Sequence, residues 1–410
     1  ALAAELGVSR GVVVEAYGQL AAEGYLAVRP GAAPRVAAGA AVAASRPAER
    51  PEAPLRYDLR PGTPDLSLFP RAAWAAAHRR ALAEVADADL GYPPPGGHPR
   101  LRAALAAYLG RVRGVQAAPE RIVVCGGVAE AVALVGRVLR ERGARRVAVE
   151  DPSHPGTREL MGHSGLELVP VPVDAGGVDV EQIAAAGVDA VLVTPAHQSP
   201  TGVVLEPSRR AALAAWARET GALVIEDDYD AEYRYDRHPV GALQGLAPDH
   251  VVHVHSVSKT LAPALRLGWA ALPARLVAAV VEEKRLSDLG APVLEQLTLA
   301  AFLERGELDR HLRRTRQAYR RRRDALLTAL AGIEVEGVAA GLHVLARLPP
   351  GLTEQEVVAA AAARGVAVEA LGPQVAGPPR APALLLGYTR LNEAGIAEAG
   401  RRLRAALADR

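Results

Sequence analysis

The chain has 410 residues, 48 of them basic and 46 acidic, and a formal net charge of +2. That length buries a large core and predicts two or three domains; near neutrality excludes a polycation, so contact with nucleic acid needs a local patch. A single cysteine, Cys125, excludes an internal disulfide or a multi-cysteine zinc site, no metal site is expected, and no uncharged apolar run is long enough for a membrane, which together predict a cytoplasmic protein.

Residues 1–38 open partway through a helical pattern, so a preceding segment is expected. The first helix ends at Leu6 and Gly7-Val8 turns the chain. Ser9 is placed to cap a second helix from Arg10 to about Glu23, with Val13, Ala16, Tyr17 and Leu20 as its apolar stripe and Gly24 closing it. "YLAVRPGAAPRVA" then reads as a hairpin. Residues 39–55, rich in Ala, Pro and charge, read as a linker able to span about 50 Å when extended.

From about residue 56 short apolar runs alternate with Ala/Leu/Arg helices: "RIVVCGG", "RRVAVED", "LELVPVPV", "AVLVTPAH", "GALVIEDD" and "HVVHVHS". Near-continuous apolar strands suit a mostly parallel sheet covered on both faces, and the alternation predicts a doubly wound α/β fold. The large domain is expected over about 90–290, and a smaller α+β domain over about 56–89 and 291–410. The arginine run at 320–323 reads as the solvated face of a long helix rather than a nucleic-acid patch.

Only two of the basic residues are lysines, Lys259 and Lys284. Lys259 follows the strand "HVVHVHS", at a sheet end where ligands of open α/β sheets bind. A lysine partly desolvated there forms a Schiff base with an aldehyde such as pyridoxal 5'-phosphate (PLP); the alternative is a solvated surface lysine. Asp227 and Tyr229 end another strand and suit the pyridine nitrogen and ring oxygen of that cofactor, although "EDDYD" alone also fits an acidic loop or a metal ligand set. Gly126 and Gly127, before a helix opening at Val128, offer free N–H groups to a phosphate, or serve packing alone. Ser256 and Arg266 are candidates for the same anion.

Taken together these residues resemble a fold-type I PLP protein of the aspartate aminotransferase superfamily, over about 56–405. "SVSKTLAPALRLG" resembles its lysine signature, and the resemblance makes Lys259 the Schiff-base lysine. It assigns Asp227, Tyr229, Ser256, Ser258, Arg266, Gly126, Gly127 and Val128 to the cofactor, with His154 where an aromatic ring usually stacks on the pyridine. "GYPPPGGHPRLRAAL" resembles the segment whose tyrosine, Tyr92, reaches the partner subunit's cofactor, which implies a homodimer. "TPAHQSPTG" resembles the loop whose ring-oxygen ligand falls at Ser199, preceded by His197 and Gln198. That "HQxPxG" form, with "LRPGTPDLSLFPRAAW", resembles the MocR-type regulators of the GntR superfamily.

Residues 1–38 are similar to the second half of a GntR-type winged helix-turn-helix whose first helix is missing. That likeness puts DNA contacts at Ser9 and Arg10 of the recognition helix and at Arg29 and Arg35 of the wing. A generic helical hairpin at an enzyme's edge is the alternative. Val12 replaces the usual threonine, and the wing tip reads "PGAAPR" instead of G-S-G-T. The resemblance places an amino-acid effector's carboxylate at Arg390 and Arg158, with His197 and Gln198 nearby. The expected function is a PLP-dependent transcriptional regulator that senses an amino compound or PLP. The competing expectations are an aminotransferase acting with 2-oxoglutarate and a PLP-free interaction scaffold.

Overall fold

A computed structural model describes residues 2–37, 55–236 and 240–408. The chain divides into two units between residues 53 and 54. The expected linker lies outside the described residues except for Leu55.

In the first unit, a one-turn helix α1 (Leu2–Glu5) precedes α2 (Arg10–Ala22). Ser9 caps α2 as its pattern requires, its hydroxyl accepting the Val12 N–H at 3.4 Å. Strands β1 (Leu26–Ala27) and β2 (Arg35–Val36) pair antiparallel as a small hairpin. The stripe on α2 differs from the expected one. Val13, Tyr17 and Ala21 are half-buried while Ala16 and Leu20 are exposed, because a single turn of α1 covers only one i, i+4 row.

The second unit begins with β3 (Tyr57–Asp58), α3 (Arg71–Glu84) and α4 (Pro99–Arg113). The alternating pattern then follows as β4 (Ile122–Cys125), α5 (Val128–Glu141), β5 (Arg146–Asp151), α6 (Pro155–His163), β6 (Glu167–Asp174) and β7 (Gly177–Val178). It continues through α7 (Val180–Ala185), β8 (Ala190–Val193), α8 (Pro207–Thr220), β9 (Leu223–Asp227), β10 (Val251–Ser256) and β11 (Gly268–Ala271). The sheet runs β4-β11-β10-β9-β8-β5-β6-β7, and β10, β9, β8, β5 and β6 are mutually parallel. β4, β8, β10 and β11 are buried along their whole length, which is why their sequences do not alternate.

Helices α9 (Ala274–Asp288), α10 (Val293–Glu304) and α11 (Glu307–Ala329) lead to the smaller sheet. That sheet holds β12 (Val335–Glu336), β13 (His343–Arg347), β15 (Glu369–Ala370) and β16 (Ala383–Gly387), in the order β12-β13-β16-β15. Between them come α12 (Glu354–Ala363) and β14 (Val366–Ala367), which pairs parallel with β3, and α13 (Glu393–Ala408) closes the fold. The arginine run on α11 is not wholly solvated. Arg322 is buried, ion-paired with Asp65 at 2.8 Å and donating to the Thr389 carbonyl at 2.5 Å. Among the described residues no helix is long and apolar enough to cross a membrane.

Candidate cofactor and effector site

Because β5, β8, β9 and β10 run parallel, their carboxyl ends meet at one edge of the sheet, and a cavity of about 590 Å³ opens there. Lys259, Asp227, Tyr229, Ser256, Ser258, Arg266, Val128, His154, Ser199 and Arg158 all line it. Asp227 is the last residue of β9, Ser256 the last of β10, and Val128 the first of α5. Residues separated by more than a hundred positions thus converge through strand order alone.

Burial lowers the Lys259 ammonium below its ordinary pKa, against the pull of Asp227 and Asp230, and its Nζ donates to the Gly62 carbonyl. Asp227 is half-buried with its Oδ1 shut off from solvent, and burial pushes its carboxyl up to about 7. Its Oδ1 has no hydrogen-bond partner. A buried carboxylate oxygen left unpaired is costly, and this one matches a protonated ring nitrogen in both charge and geometry class. Burial likewise raises the Tyr229 phenol well above its usual value, so it stays a donor; its hydroxyl lies 3.1 Å from His197 Nδ1.

The anion end of the cavity is built from backbone. Gly127 has φ +113°, and a Cβ on it would meet Arg266 Nη1 at 3.2 Å, so only glycine admits the guanidinium this close. Arg266 itself holds a left-handed backbone, φ 49°, an uncommon conformation for a residue with a side chain. The N-terminus of α5 has no side-chain cap, and the Glu130 carboxylate accepts the Gly126 N–H. Lys284, the second lysine, is buried and fixes that carboxylate at 2.9 Å while pairing with Asp288 at 2.5 Å.

Six expected cofactor and effector residues do not line the cavity, and two of them, Gly126 and Gly127, sit just behind Val128 against Arg266. His197 and Gln198 do not line the cavity: His197 is buried against Asp230 at 2.9 Å, and the Gln198 amide donates to Glu150 at 3.2 Å and the Pro152 carbonyl at 2.8 Å. Arg390 lies at the mouth, ion-paired with Asp58 and donating to Thr63 Oγ1 at 2.7 Å. Tyr92 is 89% exposed and outside its own chain's cavity. Ser9, Arg10, Arg29 and Arg35 are all exposed in the first unit. The cavity also recruits Gly62, Thr63 and Glu150, and residues that no motif marked: Leu342, His343, Glu369 and Gln374. Burial raises the Glu150 carboxyl to about 7 and lowers His343 to about 4.

Fold and site together define a PLP-binding protein of the aminotransferase type. The family model for aminotransferase class I and II matches residues 58–381. The chain is 33% identical over 436 residues to the probable rhizopine catabolism regulatory protein MocR of Rhizobium meliloti, covering 99% of this chain and 87% of that protein. It is 35% identical over 385 residues to the HTH-type pyridoxine biosynthesis transcriptional regulator PdxR of Corynebacterium glutamicum, covering 90% and 82%. The crystal structure of LysN, the alpha-aminoadipate aminotransferase of Thermus thermophilus complexed with N-(5'-phosphopyridoxyl)-L-leucine, superposes with a TM-score of 0.77 at 28% identity, covering 86% and 92% of the two chains. The chain belongs to the MocR-type helix-turn-helix regulators, whose second domain is an aminotransferase class I and II fold. The cofactor is pyridoxal 5'-phosphate, and the unpaired Asp227 oxygen, the lowered Lys259 and the glycine–arginine cup fit its three poles.

Proposed function

We propose that this chain is a cytoplasmic, homodimeric transcriptional regulator that binds DNA through residues 2–37 and reads an amino compound in the cavity at Lys259. When bound, PLP supplies an electrophilic aldehyde on an electron-withdrawing ring. The neutral amine that burial favours at Lys259 is the form that attacks such an aldehyde. Asp227 would hold a proton at the ring nitrogen, Tyr229 would donate toward the ring oxygen, and Ser256, Ser258, Arg266 and the Gly127 turn would hold the phosphate. His154, on the cavity wall, would stack on the ring. His197 positions Tyr229 through the Asp230 pair, and Gln198 fixes the loop that carries Ser199.

One observation carries the link from ligand to DNA. The stretch 58–63, which follows the linker, is tied to the site at three points. Lys259 donates to Gly62, Arg390 pairs with Asp58, and Arg390 also donates to Thr63. Cofactor on Lys259 would take the first anchor from this strap, and an amino compound that draws Arg390 to its carboxylate would take the other two. The two states then differ in how the start of the second unit is held, which is the differential contact a ligand needs to shift a regulator. Exposed apolar side chains such as Leu90, Tyr92, Leu286 and Leu289 support a partner subunit that covers them.

The test is a mobility-shift titration on the upstream DNA of its own gene, with PLP and amino compounds added in turn. Ligand-dependent affinity supports the regulator. Turnover of an amino donor with 2-oxoglutarate, in a protein with no DNA affinity, supports the aminotransferase instead.

A further inference from the structure

The ionisable groups lining the cavity do not all belong to the cofactor. Lys259, Asp227 and Arg266 answer to its aldehyde, ring nitrogen and phosphate. Glu150 is spent within the wall: one oxygen accepts from Thr194 N at 3.1 Å, Thr194 Oγ1 at 2.6 Å and Gln198 at 3.2 Å. Burial keeps His343 neutral near pH 7, its Nε2 on the Pro200 carbonyl at 3.1 Å, and lowers His154, the candidate to stack on the ring. Two groups of opposite sign remain, Arg158 and Glu369.

Neither has an ion-pair partner among the described residues. Arg158 donates only to neutral acceptors: Ser153 O, Ser153 Oγ at 3.3 Å, Gln374 O at 2.5 Å and Pro373 O at 3.2 Å. Glu369 accepts one bond, from the Gln374 amide at 2.8 Å. Arg60 lies within the field of Glu369, but its fork is committed to Asp58 at 3.0 and 2.8 Å. Gln374 therefore holds both groups, its carbonyl under Arg158 and its amide against Glu369. Leu342 and Leu385 supply apolar wall in the same cavity. A partly desolvated cation and anion without partners favour a ligand that brings both signs, joined by an apolar stem.

We propose that the effector is an amino acid whose side chain ends in a cation, with its carboxylate held between Arg390 and Arg158 and the distal cation on Glu369. This rests on the reading of the cavity as an amino-compound sensor and adds the ligand's class. A distal carboxylate of the same reach meets Glu369 as a like charge and is rejected.

The test titrates the PLP-loaded full chain with norleucine, lysine and 2-aminoadipate, matched in chain length, and reads the shift of the cofactor's visible absorption band. Lysine is expected to half-saturate at a concentration about tenfold below norleucine, the scale of one partly buried charge pair, with 2-aminoadipate weakest. Glu369→Gln should close the gap between lysine and norleucine, and Arg158→Gln should weaken all three. Equal affinities, a preference for 2-aminoadipate, or a lysine preference that survives Glu369→Gln would overturn the assignment while leaving the sensor reading intact. A band that no amino compound shifts would remove the sensor reading, and this one with it.

Discussion

In the second unit the strands that deliver Asp227 and Ser256 are buried on both faces, and every candidate cofactor residue but Tyr92 lies at the end of a strand of the large sheet or on the segment that follows it. Neither helix of residues 2–37 buries a side chain; what orders that segment is a serine cap, a left-handed glycine at each turn and a two-rung hairpin. Position in the sensor is therefore set by a core that tolerates little change. Position in the DNA-binding segment is set by local bonds worth about 1 kcal/mol each. A ligand signal passing from the first to the second crosses from a stiff frame to a soft one, and the strap at 58–63 is where the frame begins.

Substitutions that test this contrast should fall in a clear order. Lys259→Ala should abolish covalent retention of PLP after borohydride reduction, read by mass spectrometry, and leave the fold's circular dichroism unchanged. Asp227→Asn should weaken PLP by about 100-fold, the cost of removing one partner from a buried charged contact, measured by fluorescence titration. The same variant should change the cofactor-free protein in the opposite sense. Asp227 titrates at about 7 when folded, above its unfolded value, so the folded state holds the extra proton. Its share of stability is intact below about pH 4 and lost as the pH rises through 7. Asp227→Asn removes that loss, and the fall in melting temperature between about pH 5 and pH 8 should shrink.

Smaller effects test the strap and the soft unit. Burial would raise the Asp58 carboxyl, but Arg60 and Arg390 hold it below its usual value, so Asp58 is the charge that competes for Arg390. Asp58→Asn should free that arginine and tighten the effector by about fivefold in the same spectral titration, with PLP affinity unaltered. Ser9→Ala should leave cofactor and effector binding untouched. It should speed amide exchange in the first turn of α2 by about threefold and weaken DNA binding modestly.

Much of the sensor was legible because its chemistry sits next to its strands in sequence. "HVVHVHS" leads straight to Lys259, and "GALVIEDD" ends on Asp227. β11 escaped notice because Gly-Trp-Ala-Ala carries none of the β-branched residues that mark the others, although it is wholly buried and antiparallel to both neighbours. Glu369, His343 and Gln374 were illegible for another reason: they reach the cavity from the small sheet and the loop beside it, and no local pattern announces a contact made across the fold. The same holds for the Asp58–Arg390 pair, whose members are 332 positions apart. Arg322 was hidden within an arginine run whose other members mostly face solvent.

The most direct measurement is DNA affinity with and without PLP, for the wild-type chain and for Lys259→Ala side by side. The account predicts that the cofactor and an amino compound change the wild-type affinity and leave the variant's unchanged. Equal responses from both proteins would contradict it.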